Sequence, residues 1–156
     1  MRRKSVMPKV PALAAVLCLC VVSGAQANTI RNRLEAFEFF GRWAPDCAAP
    51  ASPTNAVRDV SVAPDGTVAF TESLGADYEP NVYVVLGAKR ASADKIVVRV
   101  QLNRETEQEL TMQRRHGRLR TMQNRLAAGG ALVVANGVAL RNKQKTPWLS
   151  PCADRP

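Results

Sequence analysis

Between residues 95 and 141 the chain alternates apolar and polar positions with a period of two. Ile96, Val98, Val100 and Leu102 fall on one side, and Val97, Arg99, Gln101 and Asn103 on the other. Successive side chains of a strand point to opposite faces, so the pattern predicts a half-buried antiparallel strand over 95–103. His116-Gly117 and Asn136-Gly137 are dipeptides that accept positive φ, and each predicts a two-residue hairpin turn. A turn at Arg104-Glu105 leads into a strand over 106–115, and the loop at His116-Gly117 then sets a register. Arg115 is expected opposite Arg118, Gln113 opposite Arg120 and Thr111 opposite Met122, with Met112 against Thr121 and Leu110 against Gln123 on the other face. A flexible turn at 127–130 precedes the last hairpin, 131–135 with 138–141.

The same pattern reading extends toward the N-terminus. Ile30, Leu34 and Phe37 recur at i, i+4 and i+7, which predicts a short helix capped by Asn28 or Thr29 and running to about Phe40. Three of the four phenylalanines stand at 37, 39 and 40, the composition of a lid over a sheet or barrel end. A loop over 48–55 follows, because Pro50 and Pro53 cannot donate ladder hydrogen bonds. Pro64-Asp65-Gly66 predicts a hairpin of 57–63 with 67–73, its core residues Val60, Val62, Val68 and Phe70. The unbroken apolar run 82–86 predicts a strand over 81–87 covered on both faces. Residues 143–156 read as a tail. The sum is an all-β fold, an antiparallel meander closing as a barrel of eight or nine strands with a short N-terminal helix. Leu110, Met112, Thr121 and Gln123 on the inner face mix apolar and polar groups. That mixture fits a damp barrel interior, and these four are the candidate ligand-binding residues.

Composition changes the picture at the start of the chain. Arg2, Arg3, Lys4 and Lys9 flank an apolar run from 10 to 22, and Ala25-Gln26-Ala27 ends it with small residues. This is the layout of a secretory signal peptide over 1–27, cleaved before Asn28 and too short to span a bilayer. Residues 28–156 are then a single domain, long enough for its own core. Of 22 basic residues the leader removes four, leaving a moderate excess over 13 acidic ones. An exported chain with that balance is expected to meet anionic lipid, polysaccharide or an acidic partner rather than nucleic acid, and no aromatic side chains interleave its arginines. Cleavage also leaves two cysteines, Cys47 and Cys152, and an oxidising compartment predicts one disulfide between them.

An N-terminal helix, Gly41-Arg42-Trp43 opening the first strand and a long meander together resemble the calycin architecture. In lipocalins the tryptophan of G-x-W packs across the closed barrel end under a late arginine. The resemblance implies that role for Trp43 and the second for Arg141. More narrowly, Gly41-Arg42-Trp43, Asp46-Cys47, the Pro-Ala-Ser-Pro loop, Arg120-Thr121-Met122 and Pro147-Trp148 through Cys152 look like a group of small bacterial periplasmic proteins. That likeness implies fold and compartment and carries no activity.

Catalytic chemistry finds few footholds. His116, the single histidine of the chain, falls in a predicted turn, where it is solvated. Glu105, Glu107 and Glu109 alternate along one strand face but lack the Asp/Asn-rich loop that wraps Ca²⁺, and Ala128-Gly129-Gly130 is a turn rather than a phosphate cradle. No metal, no cofactor and no acid–base pair is expected, so the chain is read as a non-enzyme and a monomer. Arg115, Arg118 and Arg120 share a hairpin face, and mutual repulsion between Arg115 and Arg118 makes the three a candidate anion site. The expected function is an exported non-catalytic binding module for a small amphipathic ligand or an anionic envelope component. The alternative is a protein-interaction module such as an inhibitor of a secreted hydrolase.

Overall fold

Ten antiparallel strands follow one another in a single curled, barrel-like sheet behind one helix. The structure, a computed structural model, describes residues 22–153, with side chains from Thr29 onward. The charged start and most of the apolar run of the expected leader lie outside the described residues. The helix α1 spans Val22–Glu35, and the strands are β1 Gly41–Ala44, β2 Val57–Val62, β3 Val68–Ser73, β4 Asn81–Arg90 and β5 Lys95–Leu102. They continue as β6 Thr106–Arg115, β7 Arg118–Leu126, β8 Leu132–Ala135, β9 Val138–Ala139 and β10 Ser150–Cys152. Each strand from β1 to β8 pairs with the next, and β10 returns to pair with β1. Just ahead of β10, Leu149 exchanges backbone hydrogen bonds of 2.9 and 2.7 Å with Leu119 of β7. The tail thus ties the first strand to the seventh, and β8–β9 form a flap beyond that junction.

Two sequence expectations change at the ends of the chain. The helix starts at Val22 rather than at Asn28 or Thr29, and it stops at Glu35 rather than near Phe40. Glu38 takes φ 53°, its N–H donates to the Glu35 carbonyl, and the Phe39 N–H donates to the Leu34 carbonyl. This is a Schellman cap, with Phe39 and Leu34 in the flanking apolar positions, both fully buried. The ion pair of Glu38 with Arg114, close to the end of β6, pins the cap to the barrel. At the other end, the expected tail contains a strand. Pro151 sits opposite Trp43 in β10, which is tolerated because only every second residue of an antiparallel pair bonds a given neighbour.

The turns agree more closely. His116 and Gly117 have φ 50° and 72°, and Asn136 and Gly137 have φ 50° and 71°, as two-residue hairpin loops require. The turn between β5 and β6 begins one residue earlier than expected, with Asn103 at φ 48° and Arg104 at φ 63°. In β4 the expected apolar cover exists on one face alone. Tyr83 and Val85 point inward, whereas Val82 is 42% exposed.

The core gathers under the helix. Leu34, Phe37 and Phe39 descend from α1 and its cap onto Val60, Val68, Phe70, Ala88, Ile96, Val98, Met112 and Leu119. Burying one such phenylalanine stabilises by roughly 2–3 kcal/mol, so the aromatic cluster is a main anchor of the lid. Trp43 is 3% exposed and donates its indole N–H to the Phe39 carbonyl at 3.0 Å, where the cap passes into β1. Arg141 does not stack on it. It lies exposed in the turn after β9, and among the described residues the arginines that lie over rings are Arg58 on Phe70, Arg90 on Phe37 and Arg120 on Trp148.

Candidate binding site

An antiparallel meander brings the start of β2, the end of β3, the start of β4, the end of β5, the start of β6 and the end of β7 to one rim. The helix covers the opposite rim, through Arg33 on the Ala88 carbonyl and Arg90 on the Ala36 carbonyl. Inward positions near the helix are apolar except Arg114, which lies opposite Leu119 and binds Glu38 of the helix cap. Those at the far end are Arg58, Glu72, Tyr83, Gln108 and Asn124. One barrel interior therefore has a dry half and a polar half.

Arg58 centres the polar half. It pairs directly across the β2–β3 ladder with Glu72, its Nη2 is 2.6 Å from Glu72 Oε2, and the two side chains are 10% and 18% exposed. Its guanidinium carbon lies 4.9 Å from the centre of the Phe70 ring, and Phe70 stacks on Tyr83 at 4.4 Å. Its Nη1 reaches across the interior to Met112 Sδ at 4.0 Å, a weak acceptor that Thr121 Oγ1 also meets at 3.4 Å. Burial and the Glu72 carboxylate push the Tyr83 phenol up to about 12, so Tyr83 stays a neutral hydroxyl at ordinary pH. Asn124 donates to Gln108 Oε1 at 2.9 Å, and Gln108 is buried. Three described polar atoms are buried without a hydrogen-bond partner: Arg58 Nε, a donor, and Asn124 Oδ1, an acceptor, in this half, and Arg114 Nε at the rim under the helix, where Arg114 binds Glu38. Such groups are expensive to leave unmade, and most buried polar groups in proteins find a partner.

The four expected ligand-binding residues do not line this half together. Leu110 and Met112 are 4% and 0% exposed and belong to the hydrophobic cluster. Thr121 pairs with Met112 as expected, but a bulge follows: Thr111 lies opposite Gln123 and Leu110 opposite Asn124, with Met122 the extra residue. The expected pairs Thr111–Met122 and Leu110–Gln123 are thereby displaced by one. The displacement turns Gln123 to the outer face beside Thr111 and brings Asn124 inward. Arg58, Glu72 and Tyr83 escaped the sequence reading, yet a signal existed. The hairpin at Pro64-Asp65-Gly66 that pairs Val62 with Val68 and Val60 with Phe70 also pairs Arg58 with Glu72 on the same face.

The candidate anion site is likewise divided. Arg115 and Arg118 face each other and are exposed, as expected. Arg118 donates to the Trp148 carbonyl at 3.2 Å. Arg120 is bound into the fold: Nε donates to Thr146 Oγ1 at 3.1 Å, Nη2 to the Gly137 carbonyl at 2.7 Å, and the guanidinium lies 5.6 Å from the Trp148 ring centre. A Cβ on Gly137 would come within 2.7 Å of that guanidinium, so Arg120 and Gly137 fit as a pair. Arg120 clasps the tail. His116 is exposed in its turn, and among the described residues no three His, Cys, Asp or Glu side chains gather as a metal site needs.

Cys47 and Cys152 are bonded, with Cα atoms 5.4 Å apart. Buried Asn55 shapes the loop that presents Cys47, accepting from the Asp46 N–H and donating to the carbonyls of Asp46, Ala49 and Pro50. Among the described residues no helix is long and apolar enough to cross a membrane. No family model, curated protein or solved structure matches this chain.

Proposed function

We propose that this protein is an exported, non-catalytic binding module that holds a small amphipathic ligand in the polar half of a calycin-like barrel. The observation that carries the reading is the pair of unpartnered atoms, Arg58 Nε and Asn124 Oδ1, buried at the end of the barrel away from the helix. A ligand with an acceptor for the first and a donor for the second, and an apolar body against Phe70, Tyr83 and Leu102, matches that lining. Arg58 is engaged by Glu72 and Tyr83 is held protonated, so this group of residues suits holding a molecule better than moving protons. The leader layout and the disulfide support a site outside the reducing cytoplasm.

Native mass spectrometry of protein isolated from its own cells, compared with its denatured mass, tests the reading. An adduct released on unfolding, and lost in an Asn124→Leu variant that remains folded, is the expected result. Protein that emerges ligand-free from its own compartment overturns it.

A further inference from the structure

Charge is divided along this chain as sharply as polarity is divided inside it. From Leu110 to Ala153 stand eight lysines and arginines and no aspartate or glutamate, whereas 12 of the 13 acidic residues lie between 28 and 109. Most of the cationic stretch folds as β7, the β8–β9 flap and the tail. The flap continues past β9: Val138 bridges Lys145, the Ala139 N–H donates to the Gln144 carbonyl, and residues 140–143 form the tip of a small second hairpin.

Exposed apolar side chains fall at the same place. Among the described residues the large ones are Tyr78, Val82, Leu132, Val133 and Leu140, all on the rim away from the helix. Three of the five belong to the flap. The Leu140 N–H donates to the Val133 carbonyl, which sets these two side by side, and Leu132 lies opposite Arg125 of β7. Arg125, Arg141, Lys143 and Lys145 are exposed around them, and the nearest carboxylate along the ladder is exposed Glu109, opposite Arg125 on β6. Tyr78 and Val82 sit on the opposite part of the rim among Asp77, Glu79, Glu105 and Glu107, with Arg104 a lone cation in the turn beside Val82, so among the described residues the flap is where exposed apolar side chains meet several cations.

We propose that the flap, Leu132, Val133 and Leu140 with Arg125, Arg141 and Lys143, is a docking surface for an anionic phospholipid bilayer. Exposed aliphatic side chains ringed by cations match both layers of such a surface, acyl chains below and phosphates above. A polysaccharide or nucleic acid would use the cations and leave the three aliphatic side chains without a partner. The acidic part of the rim is repelled by the same surface, so docking has a single orientation. This site is separate from the barrel interior and does not depend on a ligand there.

The test is co-sedimentation of the full processed protein with phosphatidylcholine vesicles, with and without about a third phosphatidylglycerol, over a salt series. Binding is expected to the anionic vesicles alone and to weaken as salt rises. Each surface cation contributes about fivefold to such partitioning, so Arg141→Gln with Lys143→Gln should weaken it roughly thirtyfold. Leu140→Ser with Val133→Ser, checked for an unchanged melting curve, should reduce binding while its salt dependence persists. Equal binding to neutral vesicles overturns the proposal. So does retention on heparin without vesicle binding, or vesicle binding by the parent that the cation and aliphatic variants both leave intact.

Discussion

Replacing Glu72 by glutamine removes one charge from the polar half of the barrel and leaves its shape almost unchanged. The Arg58 guanidinium then loses the carboxylate it faces. At an effective dielectric of about 20, opposite charges roughly 4 Å apart attract by about 4 kcal/mol. The glutamine carbonyl retains a hydrogen bond to Arg58 and offsets about 1 kcal/mol of the loss. Side-chain exposures of 10% and 18% place the pair nearer the buried limit, where removing one partner costs about 3–5 kcal/mol, than the surface limit of at most about 1. Glu72→Gln is therefore expected to destabilise by about 3 kcal/mol, a drop of roughly 10 °C in Tm for a domain of this size. Arg58→Met with Glu72→Leu should recover most of that stability, since a well-packed apolar pair replaces a buried ionic one at little cost. Urea unfolding of the parent, Arg58→Met, Glu72→Leu and the double variant gives the coupling energy directly. A loss below about 1 kcal/mol for Glu72→Gln would show Arg58 to be solvated, and the dry-walled polar half with it would fall.

Trp43→Ala should cost about 3–5 kcal/mol by chemical denaturation, as truncating a packed aromatic does, and a variant that unfolds like the parent refutes its place under the lid. Reducing the Cys47–Cys152 bond should lower stability by up to about 4–5 kcal/mol through the 105-residue separation it spans, measured by melting with and without reductant. In a Tyr78→Phe background, absorbance at 295 nm should show the remaining tyrosine, Tyr83, ionising at about 12 in the folded protein. Because the folded phenol holds its proton more tightly than an unfolded one near 10, stability is intact below pH 10 and declines by about 2–3 kcal/mol as pH rises toward 12. A folded-state ionisation at 10 would mean Tyr83 is not buried beside Glu72. The intact mass of the exported chain should start at Asn28, and a mass that includes residues 1–27 rules out the cleaved leader.

Strand existence was legible wherever alternation and turn chemistry pointed the same way. β6 runs over the expected residues, and the turns at His116-Gly117 and Asn136-Gly137 form as read. What escaped depended on contacts remote in sequence. The helix stops at Glu35 because a non-glycine residue, Glu38, enters the left-handed region and is held there by Arg114, 76 residues away. β10 is three residues long and carries a proline, so it exists only because β1 and the disulfide supply its partner. The polar half was half-visible. Val60, Val62, Val68 and Phe70 were assigned to the core, and extending the same register by two residues reaches Arg58 and Glu72. Local propensity reads a charged residue as outward-facing, and only the cross-strand partner of opposite sign contradicts it here.

One extra residue in β7 links the two halves of the design. Up to Thr121 the β6–β7 ladder keeps the register set by its turn, which leaves Leu119 inward against Leu149 and Arg120 outward over the tail. Without the bulge, Gln123 would enter the barrel beside Leu110, and Asn124 would stand outside. With it, Met122 becomes the unpaired residue, its carbonyl accepts the Gly137 N–H at 2.8 Å, and the flap is thereby joined to β7. Asn124 turns inward to meet Gln108, and Arg125 turns outward beside Leu132. The bulge therefore sets two features together: the acceptor left unpartnered inside the barrel, and the cation at the base of the apolar flap. Both lie on the rim away from the helix, so a molecule entering the polar half would pass the same edge that faces an anionic bilayer.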